Sequence, residues 1–255
     1  MRLTVRQFLV PITLAVVIIV NALANALPIN GQTTGDISDS FPIFFVPAGY
    51  VFAIWGLIYT GLIAYVIYQS LPSQRQNRLH AQVAPWFILN CVLNSAWIFA
   101  WHYNEVGLSL VMMVGILLTL CRIYWVIGIG RISASRSELW LMRVPFSIYT
   151  AWITVATIAN VTTFLYDLNW DGFGLAPDLW AVIMLIVATL VVGIVTLRHH
   201  DIAFISVIVW AFIGIAVKHS ATQSIFGTSI LMSIIVILVL FIETPQRRLN
   251  RTYAP

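Results

Sequence analysis

Between Arg143 and Asn160 the chain reads RVPFSIYTAWITVATIAN, an apolar run that carries aromatic and amide groups lipid does not favour. Trp152, Ala156 and Asn160 recur every four residues, so on a helix they share one stripe, with Tyr149 one turn below. A flat indole wall, a gap beside it left by alanine and an amide above outline a pocket. The same residue types also make an ordinary helix contact, in which Ala admits a neighbouring backbone and Asn bonds across. Two other segments repeat the combination. Asn90 and Asn94 share a face with Trp97 and Trp101 close to it, and Trp55 and Tyr59 stand one turn apart. Such groups recognise a ligand by stacking and a few hydrogen bonds; they do not by themselves catalyse.

Groups that would catalyse are missing from the sequence. There are no paired carboxylates, HExxH helix, Cys/His zinc spacing, glycine-rich phosphate loop or Ser/His/Asp set. The nine acidic residues fall in loops or near helix ends, whereas an ion-coupled pump places an ionisable group near the bilayer midplane. The five histidines lie near the expected interfaces, and His102, beside Trp101, is the one candidate axial ligand for a tetrapyrrole. Cys91 and Cys121 fall inside expected helices as buried apolar thiols, with no disulfide framework.

The elements that position these residues are set by composition. Of 255 residues 60% are hydrophobic and 9% charged, against about 25% charged in a soluble domain, so most of the chain is solvated by lipid. Runs of about 20 apolar residues suit a bilayer, and they fall near 8–28, 48–69, 84–103, 106–129, 139–166, 178–197, 202–218 and 224–243. They are too continuously apolar for barrel strands, so the expected fold is an all-α integral membrane helix bundle of about eight transmembrane helices.

Charge sets the expected orientation. The net charge of +4 is spread over several loops, not gathered on a nucleic-acid-binding face. Arg2 and Arg6, Arg75 and Arg78, Arg131 and Arg136, Arg198, and the basic tail Arg247, Arg248 and Arg251 occupy alternate loops; Asp36, Asp39, Glu105, Asp167, Asp171 and Asp178 occupy the others. The positive-inside rule then puts both termini in the cytoplasm, as in a bacterial inner membrane, with Lys218 on the acidic side. Arg122 and Arg143, within two turns of the basic boundary, read as snorkelling anchors. Arg2, Arg6 and the Ala22-Leu23-Ala24 triplet would also suit a cleaved signal peptide, but the apolar run continues to Pro28, long enough to span.

Depth ties the segments together. Trp97 and Asn160 each lie about six residues, roughly 9 Å, below the acidic-side ends of their helices, and Trp55 about 12 Å below Pro47. All three reach one layer beneath the polar 29–46 connection, which reads as a lid or as slack chain.

These segments together resemble the TspO/MBR family, the tryptophan-rich sensory proteins related to the mitochondrial translocator protein. PAGYVFAIWGLIY at 47–59 is similar to the family's second-helix segment, LNSAW at 93–97 to its Leu-Asn-x-x-Trp, and WITVATIAN at 152–160 to its Trp-x-x-x-Ala-Thr-x-x-Asn. The resemblance covers roughly 1–166 and implies a five-helix, commonly dimeric bundle that binds porphyrins, haem-like compounds or sterols under the first loop. Carried onto this sequence it implicates Trp55, Asn94, Trp97, Trp152, Ala156 and Asn160, with Tyr50 and Tyr59 from the second segment. The family proline before the second-helix Trp is replaced by Ala53-Ile54, Pro145 sits about a turn early, and no acid stands near Met112 and Met113.

The expected organisation is therefore a TspO-like core over 1–166, three added helices over 167–246 that could cover a dimer face, and a basic tail over 247–255. The expected function is binding, sensing, sequestering or translocating a planar apolar ligand such as a porphyrin, haem or sterol-like lipid, with no required cofactor or metal. A structural or accessory subunit of a larger membrane complex is the alternative, and light-driven porphyrin degradation a third reading.

Overall fold

The computed structural model describes residues 4–242, which fold as a bundle of apolar helices. The basic tail, with Arg247, Arg248 and Arg251, and Arg2 lie outside the described residues. Among the described residues, six helices are long and apolar enough to cross a membrane. They are α1 (Val5–Ala26), the stretch Gly49–Ser70 containing α3 (Ile54–Ser70), α4 (Arg78–His102), α5 (Val106–Val126), the stretch Arg136–Asp167 and α8 (Pro177–His199). The stretch Arg136–Asp167 joins α6 (Arg136–Glu138), a π-helical turn (Leu139–Arg143) and α7 (Val144–Asp167). The expected seventh and eighth spans are α9 (Ile202–Lys218) and α10 (Gln223–Val239). Each has 17 residues, about 25 Å long, which is short of the roughly 30 Å hydrocarbon core.

Packing follows a ring. α1 lies on α4, α4 on α5, α5 on α7, α7 on α3, and α3 back on α1. α9 packs against the outside of α7, and α10 joins α8 and α9. Close approach is set by small residues: at Gly61 a methyl group would stand 3.0 Å from Pro145 Cβ, which brings α3 and α7 together. The end of the ring that holds Arg6, Arg75 and Arg143 is filled by Tyr65, Phe87 and Phe146, rings 4.9–5.7 Å apart. We call it the arginine side and the opposite end the lid side.

The 29–46 connection is not slack. After a short turn at Ile29–Gly31 it forms α2 (Thr34–Ser40), started by Thr33, whose hydroxyl accepts from Asp36 N–H while Asp36 accepts from Thr33 N–H. α9 holds the far side of this lid. Ala48 N–H donates to Gly214 C=O at 3.1 Å, Trp210 Nε1 donates to Val51 C=O at 3.2 Å, and Lys218 pairs with Asp39. Gly214 is required by that approach, because a Cβ there would lie 2.2 Å from Val51 Cγ2. The Lys218–Asp39 contact is the one ion pair among the described residues, and it explains a lysine among acidic loops.

One sequence reading needs correction. Cys91 is buried, but Cys121 is exposed on the outer face of α5, beside Arg122 and Trp125. Asp201, at a helix end as expected of the acidic residues, is buried at the start of α9 and accepts hydrogen bonds from Tyr124 Oη–H, Ser147 Oγ–H and Phe204 N–H. It clasps α9 to α5 and α7 on the arginine side.

Removing that carboxylate strands two buried hydroxyls, each costing about 1–3 kcal/mol, and uncaps α9. Asp201→Ala should therefore lower unfolding stability by about 2–4 kcal/mol, with Asp201→Asn, which keeps an acceptor, losing less. Denaturant or thermal unfolding in detergent checks this; equal stability of wild type and Asp201→Ala would refute the clasp.

Candidate ligand-binding chambers beneath the lid

Each helix of the ring gives the inner space one or two side chains. On α7 the four-residue stripe turns Trp152, Ala156 and Asn160 inward, as helical geometry requires. With Trp55 of α3 and Trp97 of α4 they line a small cavity of about 50 Å³, roofed by Thr34 and Ser38 of α2 and by Pro47. A second, larger space of about 450 Å³ adjoins it between α1, α3, α4 and the lid. Trp55, Trp97, Phe52 and Thr34 border both, while Asn21, Asn25 and Tyr59 border the outer one.

The walls are aromatic and interlocked. Trp55 stacks on Tyr59, with ring centroids 5.4 Å apart at 20°, and meets Trp152 edge-on at 6.3 Å and 84°. Phe52 meets Trp152 at 5.6 Å and 85°, and Trp97 stacks on Trp101 at 5.7 Å and 17°. Such contacts hold the rings as plates and leave their positions little freedom.

Polar groups divide into two kinds. Some are spent on joining helices: Asn21 Nδ2 donates to Asn94 Oδ1 and Asn94 Nδ2 to Tyr149 Oη, both at 2.9 Å, and Ser109 Oγ donates to Asn160 Oδ1 at 3.0 Å. Others have no partner. Tyr59 Oη, Trp97 Nε1 and Trp152 Nε1 are buried and hydrogen-bond to nothing among the described residues. Three donors left open on the walls of two adjoining spaces are costly in a dry interior.

Of the eight residues singled out from the sequence, Trp55, Trp97, Trp152, Ala156 and Asn160 line the inner cavity and Tyr59 the outer one. Asn94 stands behind the wall, holding Tyr149 and Asn21. Tyr50 does not join them. The 3₁₀ stretch Gly49–Ala53 turns it outward, 47% exposed, against Trp210 of α9 at 5.4 Å.

His102 is also reassigned. It is fully buried, with Nδ1 3.1 Å from Ile29 C=O and Nε2 3.1 Å from Thr34 Oγ1. A carbonyl only accepts, so Nδ1 carries a proton, and Nε2 shares a hydrogen bond with the threonine hydroxyl. Both nitrogens are occupied in tying the lid to α4, which leaves none for a metal. Sequence reasoning passed over Phe52 and the lid residues Thr34 and Ser38. Trp101, four residues after Trp97, carried a signal, as did the Asn21 and Asn25 face of α1.

The Thr33 amide and hydroxyl hold the Asp36 carboxyl below its ordinary 3.8. A depressed carboxyl stabilises the folded lid fully above 3.8, and that contribution is lost as pH falls through the lower folded value. Amide protection factors at 34–37, taken relative to intrinsic exchange at the same pH, should therefore fall at acid pH, and at neutral pH in Asp36→Ala. Separately, Asn94→Leu strands partners on α1 and α7 and should cost about 1–3 kcal/mol in unfolding experiments. Unchanged protection, or unchanged stability, would refute the respective role.

No curated protein and no solved structure matches the chain. A family profile described as "TSPO-like protein" matches residues 7–242. That match runs past residue 166, where the residue resemblance stops, and takes in α8, α9 and α10. A tryptophan-walled space under a tethered lid, inside a ring of membrane helices, is thus set in a sequence that one profile describes nearly end to end, and the chain belongs to the TSPO-like protein family.

Proposed function

We propose that this protein binds a planar apolar ligand of the tetrapyrrole or sterol-like class in the adjoining chambers beneath α2. The family suggests a membrane protein that binds or senses ligands in general, and the spans seat this one in the bilayer. One observation carries the finer reading: Tyr59 Oη, Trp97 Nε1 and Trp152 Nε1 are buried donors without partners among the described residues, on residues that line the two adjoining aromatic chambers. A ligand with acceptor groups at its edge, carboxylate or carbonyl, would satisfy them while its flat face lies on the indole plates.

Size favours the outer chamber as the main seat. Its roughly 450 Å³ lies within the range of small-molecule pockets, about 300–1,000 Å³, while the inner 50 Å³ admits an edge or substituent. With both His102 nitrogens engaged, the ligand is held by stacking and hydrogen bonds and not by an axial imidazole. In this reading the protein binds and passes on or reports its ligand and carries no catalytic set. Helices α1 to α7 form the binding unit, and α8 to α10 support its lid. The arginine side faces the cytoplasm, with a bacterial inner membrane as the setting.

Protoporphyrin IX titrated into purified protein should quench tryptophan fluorescence saturably. Trp152→Ala and Asn160→Ala should weaken binding at least about tenfold, equivalent to about 1.4 kcal/mol. Tyr59→Phe, which removes one donor and almost no volume, should weaken it less. Unchanged affinity in the first two variants would remove the site. Stoichiometric co-purification with another membrane protein, together with no porphyrin binding, would favour the accessory-subunit reading.

A further inference from the structure

On the arginine side, away from the chambers, α5 ends in an arrangement that the ligand-binding reading does not use. The guanidinium of Arg122 lies 4.7 Å from the centre of the Trp125 ring and 5.8 Å from that of Trp86 on α4. Arg131, in the turn after α5, lies 5.2 Å from the same Trp125 ring. The two cations are therefore within about 10 Å of each other. Neither makes a side-chain hydrogen bond or ion pair among the described residues.

The placement is built, not accidental. Arg131 follows a turn whose Arg131 N–H donates to Gly128 C=O at 3.1 Å. That turn is pinned to the end of α8: His199 Nδ1 donates to Ile129 C=O at 2.9 Å, and a Cβ on Gly130 would stand 2.1 Å from the His199 carbonyl oxygen. Arg122 sits one turn before the end of α5, on the helix's outer face, where Leu118 is 64% and Trp125 55% exposed. In a bilayer that face meets lipid, at the depth where side chains snorkel to the headgroups.

Two guanidiniums held near one ring in that zone repel each other and lack acceptors for up to ten N–H donors. Stacking on an indole satisfies their faces and leaves their edges open, the geometry in which arginine takes a phosphate through paired hydrogen bonds. Two positive charges select a headgroup of net negative charge over a zwitterion. We propose that Arg122 and Arg131, supported by Trp125 and Trp86, form a binding site for the phosphate headgroup of an anionic phospholipid in the arginine-side leaflet.

The test uses the full chain in neutral detergent, titrated with short-chain phosphatidylglycerol, short-chain phosphatidylcholine and inorganic phosphate. Binding is read by native mass spectrometry and by the part of the fluorescence change that Trp125→Phe abolishes. Phosphatidylglycerol should bind at least tenfold more tightly than phosphatidylcholine, less so at high salt. Arg122→Gln with Arg131→Gln should erase that preference. The single Arg122→Lys, which keeps the charge and loses the fork, should weaken it while the protein stays folded. Arg75→Gln with Arg198→Gln, exposed arginines that stack on no ring, should leave the preference intact. The proposal is overturned if this control pair loses it equally, since attraction is then diffuse. It is also overturned if inorganic phosphate binds as tightly as the lipid, or if the Arg122 and Arg131 variants bind like wild type.

Discussion

Lipid offers no hydrogen bonds, and this constraint shapes both the bundle and its interior space. A polar side chain in the membrane is best matched from within, and several buried amides mark places where two helices are tied. Asn21 to Asn94 to Tyr149 joins α1, α4 and α7, Ser109 to Asn160 joins α5 and α7, and Asn90 to Thr119 joins α4 and α5. The ring of helices is closed largely by these few bonds and by aromatic packing beneath them. Matching is also incomplete at Tyr59, Trp97 and Trp152, and there the packing opens into the two chambers.

The lid and the three C-terminal helices form the second half of the arrangement. α2 would have little to hold it by itself, being seven residues long with one buried apolar side chain. It gains position from His102 on the α4 side and from α9 on the other, through Gly214, Trp210 and Lys218. α9 is in turn fixed by the buried Asp201 carboxylate at its opposite end. A contact on the arginine side thus determines where the roof of the chambers sits, through one rigid helix.

Much of this was legible because helices in lipid obey simple arithmetic. The Trp152, Ala156 and Asn160 stripe follows from i, i+4 spacing, and the common depth of Trp55, Trp97 and Asn160 follows from rise per residue. What spacing cannot reveal is a change of local winding or a partner from a distant loop. Tyr50 left the site because a 3₁₀ stretch precedes α3. His102 lost its metal-ligand reading because a carbonyl at Ile29 and a hydroxyl at Thr34 reach it. The burial of Asp201 was not legible because a helix-capping aspartate gives no sign in sequence that Tyr124 and Ser147 lie above it. The larger chamber was missed because its volume comes from how far α1 and α3 stand apart, which no periodicity encodes.

The lid's two attachments differ in kind. At α4 it is held by the fully buried His102 imidazole, bonding to a hydroxyl and a carbonyl, an interaction that salt does not reach. At α9 its outer corner is held by Lys218 and Asp39, a partly exposed pair of the sort that ionic strength loosens. A rise in ionic strength therefore weakens one corner of the roof, at Asp39, and leaves its fastening to α4 untouched.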